Sequence, residues 1–264
     1  MIEVSGLSLQ RGSRKVLDGL GFALAPGQCM ALLGANGVGK TTLLSALNGT
    51  LAPAGGRLAP AGGRLAVAGR TALVPQLFEA PFSYSAFDIA LMGRARHLGL
   101  FGAPGRRDFD IVRHFMDMLG IAGLADRPFN ALSGGQRQLV IIAQALASEC
   151  DLLILDEPCA ALDYRNQDKV LALLARLRAE HGLTIVFSTH MPQHAVEVAS
   201  HVLLLQDATH HRFGPVAEVL TAANLTALYG LPIGRAGFDG SDRHTFAPLF
   251  GAYPARGEGE AADA

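Results

Sequence analysis

The chain has 264 residues, half of them hydrophobic and 17% charged, with a formal net charge of −1. This is long enough for one large domain or two small ones with a full core. The near-neutral balance, with lysine only at Lys15, Lys40 and Lys169, excludes a broad nucleic-acid-binding face. In chain order, residues 2–9 and 16–24 are apolar-rich and flank Arg11-Gly-Ser-Arg-Lys15, which predicts an antiparallel pair joined by a turn. The N-terminus, Met1-Ile-Glu-Val4, has no basic region or apolar core of a signal peptide. The uncharged run 19–39 is long enough to span a bilayer. Its glycines, Pro26, Gln28 and Asn36 make it read as interrupted strands instead. Cys29, Cys150 and Cys159 are widely spaced and odd in number, which favours a reducing compartment over a disulfide framework.

Residues 29–33 form a short apolar strand, and 41–48 have helical spacing. From Leu51 the unit Leu-Ala-Pro-Ala-Gly-Gly-Arg occurs twice, at 51–57 and 58–64. Two Gly/Pro-rich copies are too few for a solenoid, and a duplicated surface loop is expected. Strands resume at 65–67 and 72–74. Helical spacing then governs 85–95, 108–119 and 135–147, with Ile111, Phe115, Met118 and Leu119 making one face. Residues 152–155 read as a parallel strand buried on both faces. A helix over 165–180 follows, with the stripe Val170, Leu173, Leu174 and Leu177. A strand at 184–187, a short helix, a strand at 201–205 and two helical pieces in 216–229 complete an alternating pattern, which predicts an α/β fold. The expected organisation is an α/β core at 1–80 and 149–233 and a helical subdomain at 81–148. The tail 234–264 is expected to be largely mobile.

The densest chemistry lies at 34–42, Gly-Ala-Asn-Gly-Val-Gly-Lys-Thr-Thr, a complete G-x-x-x-x-G-K-[ST] between a strand and a helix. Its glycines let successive N–H groups face phosphate oxygens, at the positive end of a helix dipole. Lys40 adds a charge at the β- and γ-phosphates, and Thr41 offers a hydroxyl to Mg²⁺. Gly34, Asn36, Gly37, Gly39, Lys40, Thr41 and Thr42 are the candidate nucleotide contacts. Leu152-Leu-Ile-Leu-Asp-Glu-Pro158 ends a strand in two carboxylates. Asp156 fits the acid that positions Mg²⁺, and Glu157 can orient or deprotonate an attacking water. Ser133 and Gln136 form an S-x-x-Q capping box. The same helix start, with the Gly134 and Gly135 amides, can also grip a phosphate.

These motifs, together with Val74-Pro-Gln76, Ala161-Leu-Asp163 and Ser188-Thr-His190, stand in the order found in ATP-binding subunits of ABC (ATP-binding cassette) transporters. The chain resembles that family from about residue 2 to 233. The resemblance implies a P-loop NTPase (RecA-like) core with an N-terminal antiparallel β layer and an inserted helical subdomain. It implies ATP and Mg²⁺ as ligands, with Gln76 on the metal and sensing the γ-phosphate, and His190 as a switch contacting that phosphate. Asp163 would cross a dimer interface. Two copies would pair head to tail, each ATP lying between Lys40 of one and Ser133 of the other, with Glu157 driving hydrolysis. The pair would sit on the cytoplasmic face of the membrane beneath integral-membrane permease subunits, served by an extracytoplasmic binding protein and contacting no nucleic acid.

Three positions depart from the family pattern. No aromatic occurs at 9–15 to stack on adenine, which leaves the Arg11 guanidinium as a candidate platform. Cys159 replaces the usual Thr or Ser and reads as a small buried substitute rather than a redox switch. The 51–64 duplication lies where the family's loop length varies. His190 and His194 share i, i+4 spacing, but Pro192 lies between them and no acidic third ligand is evident. The segments 83–94, 214–221 and 224–230 resemble importers of iron–siderophores, haem and cobalamin. Within that group, 74–78, 83–94 and 147–150 resemble the molybdate/tungstate branch most. The alternative is a soluble ABC ATPase without a permease, but the chain has no long coiled coil, zinc insertion or basic face. A degenerate ATP-binding scaffold is disfavoured by the presence of both Glu157 and His190.

Overall fold

The computed structural model describes residues 1–50, 58–76, 78, 80, 82–99, 102–160 and 162–251, apart from the side chains of 58–60 and 242. A six-stranded sheet forms its centre. The strands are β3 (Cys29–Gly34), β5 (Thr71–Val74), β6 (Leu152–Leu155), β7 (Thr184–Thr189), β8 (His201–Leu205) and β9 (His211–Pro215), in the order β5-β6-β7-β3-β8-β9. All neighbours are parallel except β8 and β9. Strand alternation divides the apolar residues between two cores. Ala31, Leu33, Leu153, Leu155, Ile185 and Phe187 face one side. Met30, Leu32, Leu152, Ile154, Val186 and Leu203 face the other. This is why β6 reads as an unbroken apolar run.

The second core is closed by α1 (Lys40–Leu47) and by an antiparallel sheet of β1 (Ile2–Arg11), β2 (Arg14–Leu24) and β4 (Leu58–Val67), ordered β2-β1-β4. Here the sequence expectation fails. The second copy of the repeated unit, 58–64, is strand rather than loop and pairs with β1. Its composition suits an edge strand: Pro60 is tolerated where one side has no partner, and Gly63 (φ 82°) lies against the Gly6 carbonyl where a Cβ would collide. The first copy, 51–57, lies outside the described residues.

The first core is covered by α2 (Ala86–Leu91), α3 (Arg106–Met118), α4 (Gly134–Ala147), α5 (Tyr164–His181), α6 (Pro192–Val198) and α8 (Ala222–Tyr229), with α7 (Val216–Val219) packed at its margin. The α5 stripe Val170, Leu173, Leu174 and Leu177 is buried as the spacing predicts. On α3 the buried centre is instead Val112 and Met116, and Ile111, Phe115, Met118 and Leu119 are only half-buried around it. The helix expected over 85–95 ends at Leu91 and tightens into a 3-10 turn over Met92–His97. Gly93 of that turn presses on the Gln144 carbonyl of α4. Beside it the buried Arg94 holds Asp108 (2.9 Å), Glu149 (2.8 Å) and the Ala147 carbonyl (2.7 Å). That charged hydrogen bond pulls the Glu149 carboxyl below its ordinary range. Because the obstacle at Gly93 is backbone, Gly93→Ala is expected to cost about 1–3 kcal/mol through overpacking, read as a lower urea midpoint.

Residues 233–248, all but the first within the tail expected to be mobile, form a hairpin of β10 (Ile233–Phe238) and β11 (Ser241–Pro248). Ile233 and Phe246 pack on the first core, and Arg243 pairs with Glu197 of α6. The end of that tail, 252–264, lies outside the described residues. No helix among the described residues is long and apolar enough to cross a membrane.

Candidate functional site

Four adjacent strands deliver the candidate residues to one edge of the sheet. Gln76 follows β5, Asp156 and Glu157 follow β6, His190 follows β7, and the loop 35–39 follows β3. The carboxyl ends of parallel strands are where open α/β sheets bind ligands, because helices start there and loops diverge. Gly37 (φ 78°) and Gly39 (φ 118°) take left-handed conformations, so the loop curls and α1 begins at Lys40 with its first amides facing outward. The Lys40 ammonium is bonded to the Gly34 (2.8 Å) and Ala35 (3.2 Å) carbonyls and lies 3.7 Å from Glu157. Thr41 donates to Asp156 Oδ2 at 2.6 Å, while Asn36 is exposed in the loop and Thr42 is half-buried in α1.

Glu157 is the centre of this arrangement. Its backbone is left-handed (φ 47°), an uncommon state for a non-glycine residue that costs on the order of 1–3 kcal/mol. Its carboxylate, only 12% exposed, meets Lys40, His190 Nδ1 (3.7 Å) and the Gln76 amide (3.3 Å). One residue that fixes this geometry received no individual role from the sequence. Ser188, fully buried in β7, donates to Asp156 Oδ1 (2.6 Å) and accepts from the Glu157 backbone N–H (2.8 Å). One hydroxyl thus holds the Asp156 carboxylate and the backbone of Glu157. The only sequence signal was its place in the Ser188-Thr-His190 motif, directly after the apolar run 185–187.

The donor set suits a nucleotide with a hard cation. Thr41 and Asp156 place a hydroxyl and a carboxylate side by side, with the Gln76 amide close by at Glu157, and Mg²⁺ takes oxygen ligands of this kind, few of them from protein. Ser133 and Gln136 form the expected capping box at the start of α4, which leaves the Gly134 and Gly135 amides in its first turn. Asp163 caps α5 by accepting from the Asn166 N–H (2.8 Å). Its motif neighbour Ala161 lies outside the described residues. Among the described residues, no hydrogen bond joins Ser133–Gln136 or Asp163 to the 34–42 loop. Arg11 is exposed at the β1–β2 turn opposite Arg14. Cys159 is buried, and burial pushes its thiol up to about 12, in keeping with a packing role. His194 is buried against Thr189, while His190 is exposed. Among the described residues, no group of three or more His, Cys, Asp or Glu side chains is placed to hold a metal ion.

Comparison with known proteins identifies the family. Residues 17–160 match the ABC transporter family. The molybdate import ATP-binding protein MolC of Haemophilus influenzae is 44% identical over 81% of both chains. The hemin import ATP-binding protein HmuV of Streptomyces coelicolor is 38% identical over 86% of this chain and 82% of its own. A solved ABC transporter described as of metal-chelate type, in an inward-facing conformation, superposes with a TM-score of 0.88 at 41% identity, over 94% of this chain and 97% of the other. With its phosphate loop, paired carboxylates and P-loop α/β core, the chain belongs to the ABC transporter family and is an ATP-binding subunit with ATPase activity.

Proposed function

We propose that this subunit powers uptake of a metal chelate (iron–siderophore, haem or cobalamin) or an oxoanion such as molybdate or tungstate, as a homodimer beneath a membrane permease. The convergence of Lys40, Gln76 and His190 on Glu157 carries the hydrolytic reading. Glu157 orients a water and takes its proton as the oxygen bonds to the γ-phosphorus. The bond to the β–γ bridging oxygen breaks, leaving ADP and phosphate. Lys40 and His190 stand beside the phosphoryl oxygens, and Gln76 links the site to the segment leading into α2. Asp156 and Thr41 would hold Mg²⁺, which would supply charge neutralisation at the phosphates. Arg11 offers a flat cation to the adenine.

The other half of each site comes from the partner copy, through Ser133 and the Gly134 and Gly135 amides, with Asp163 at the interface. Permease subunits dock beside Gln76 and α2. Phe82, 67% exposed, and the partly exposed Met92 provide apolar anchors there. The protein is thereby peripheral on the cytoplasmic face of the membrane, and an extracytoplasmic binding protein delivers the cargo. The segments 83–94, 214–221 and 224–230 and the related molybdate and hemin import subunits support an oxoanion or metal-chelate cargo.

Co-expression with the permease from neighbouring genes is expected to yield a stable complex. Its ATPase should be stimulated by the cognate binding protein loaded with molybdate, tungstate or a metal chelate. A chain that hydrolyses ATP but never copurifies with a multi-span protein would support the permease-free alternative.

A further inference from the structure

We infer that His194 and Gln167 are positioning residues that couple the His190 switch to the segment entering Asp163, through a one-way chain of hydrogen bonds inside each subunit. His194 is buried at the start of α6, four residues after the switch. Its Nδ1 lies 2.9 Å from Thr189 Oγ1, and its Nε2 lies 3.4 Å from Gln167 Oε1. Gln167, on the second turn of α5, donates from Nε2 to the Leu162 (3.0 Å) and Cys159 (3.3 Å) carbonyls.

The directions follow from the donors available. Two carbonyl partners fix the amide nitrogen of Gln167 toward 159–162, so its oxygen faces His194. The imidazole must then carry its proton on Nε2, which leaves Nδ1 to accept. Thr189 Oγ1 accepts from the Met191 N–H (3.1 Å), so its own proton goes to His194 Nδ1. The chain therefore runs Met191, Thr189, His194, Gln167, Cys159/Leu162, and each link depends on the one before. Burial disfavours the imidazolium and lowers the His194 pKa to about 4, which keeps the ring neutral and single-sided. On the far side, the Tyr229 hydroxyl donates to the His190 carbonyl (3.0 Å), so the switch backbone is held from two directions. A shift of the peptide after Thr189 would reach the Asp163 segment through side chains alone.

The inference rests on the assignment of His190 and Glu157 to hydrolysis, and the test separates the two. Gln167→Met and His194→Leu keep the volume and remove the bonds. Each is expected to lower kcat on the order of tenfold through misplaced groups, with the KM for ATP within about twofold. The double variant should be no slower than the slower single one, because either change breaks the same chain. A folded Gln167→Met with the parent kcat, losses that multiply in the double variant, or a change in KM alone would each overturn the inference. If His194→Leu fails to fold, the half-buried Gln167→Met decides. Nitrogen-15 spectra of the His194 ring should report the neutral Nε2–H tautomer, and the Nδ1–H tautomer would overturn the assigned direction. Glu157→Gln is run alongside. If it keeps its turnover, the underlying assignment falls as well; if it loses turnover while Gln167→Met does not, only the coupling falls.

Discussion

Glu157→Gln is expected to lower steady-state ATP hydrolysis by about 10²–10⁴-fold while ATP still binds, the range set by loss of a general base. The substitution is nearly isosteric. The unusual backbone of Glu157 is held by the bond from its N–H to Ser188, which does not involve the replaced carboxylate. The amide cannot take a proton from water, but it preserves the site's shape. Lys40, Thr41 and the loop amides remain, so ATP affinity should hold or rise as a negative charge 3.7 Å from the Lys40 ammonium is removed. Phosphate release and equilibrium ATP binding, measured on one preparation, check both halves. Unchanged hydrolysis would remove Glu157 from its role.

The second large effect is expected at the start of α4. Ser133→Arg should abolish ATP-driven pairing of two copies, because a bulky side chain replaces a hydroxyl where the partner's γ-phosphate would sit. The change also removes a helix N-cap, which costs about 1 kcal/mol. Ser133→Ala therefore serves as the control. It loses the same cap but leaves room for phosphate, so it should pair more weakly than the parent and far better than Ser133→Arg. ATP binding to the single chain should persist in both variants, since Gly34–Thr42 is untouched. Analytical ultracentrifugation with ATP checks the ordering.

What the sequence revealed and what it concealed have separate physical causes. The phosphate loop and the Asp156-Glu157 pair were legible because the chemistry is local. A curled backbone needs its glycines at fixed offsets, and a metal-positioning acid must end a buried strand. The sheet was legible because β6, β7 and β8 are buried on both faces and read as apolar runs. Ser188 was not assigned a role because a single buried hydroxyl announces nothing until Asp156 and the Glu157 amide are brought to it from 32 and 31 residues away. The His194–Gln167 contact, across 27 residues, was hidden for the same reason. Composition misled at 58–64, where Gly and Pro suggest a loop but β1 offers a free edge, and at 233–248, where packing on α6 and α8 supplies what the strands lack alone.

The shared ATP site is the centre of the functional account, and one sedimentation experiment tests it most directly. Glu157→Gln should be a monomer without nucleotide and a dimer with ATP, and the Glu157→Gln/Ser133→Arg double variant should stay monomeric with ATP bound. Pairing of the double variant as readily as the single one, or a Glu157→Gln chain that stays monomeric while saturated with ATP, would contradict the account.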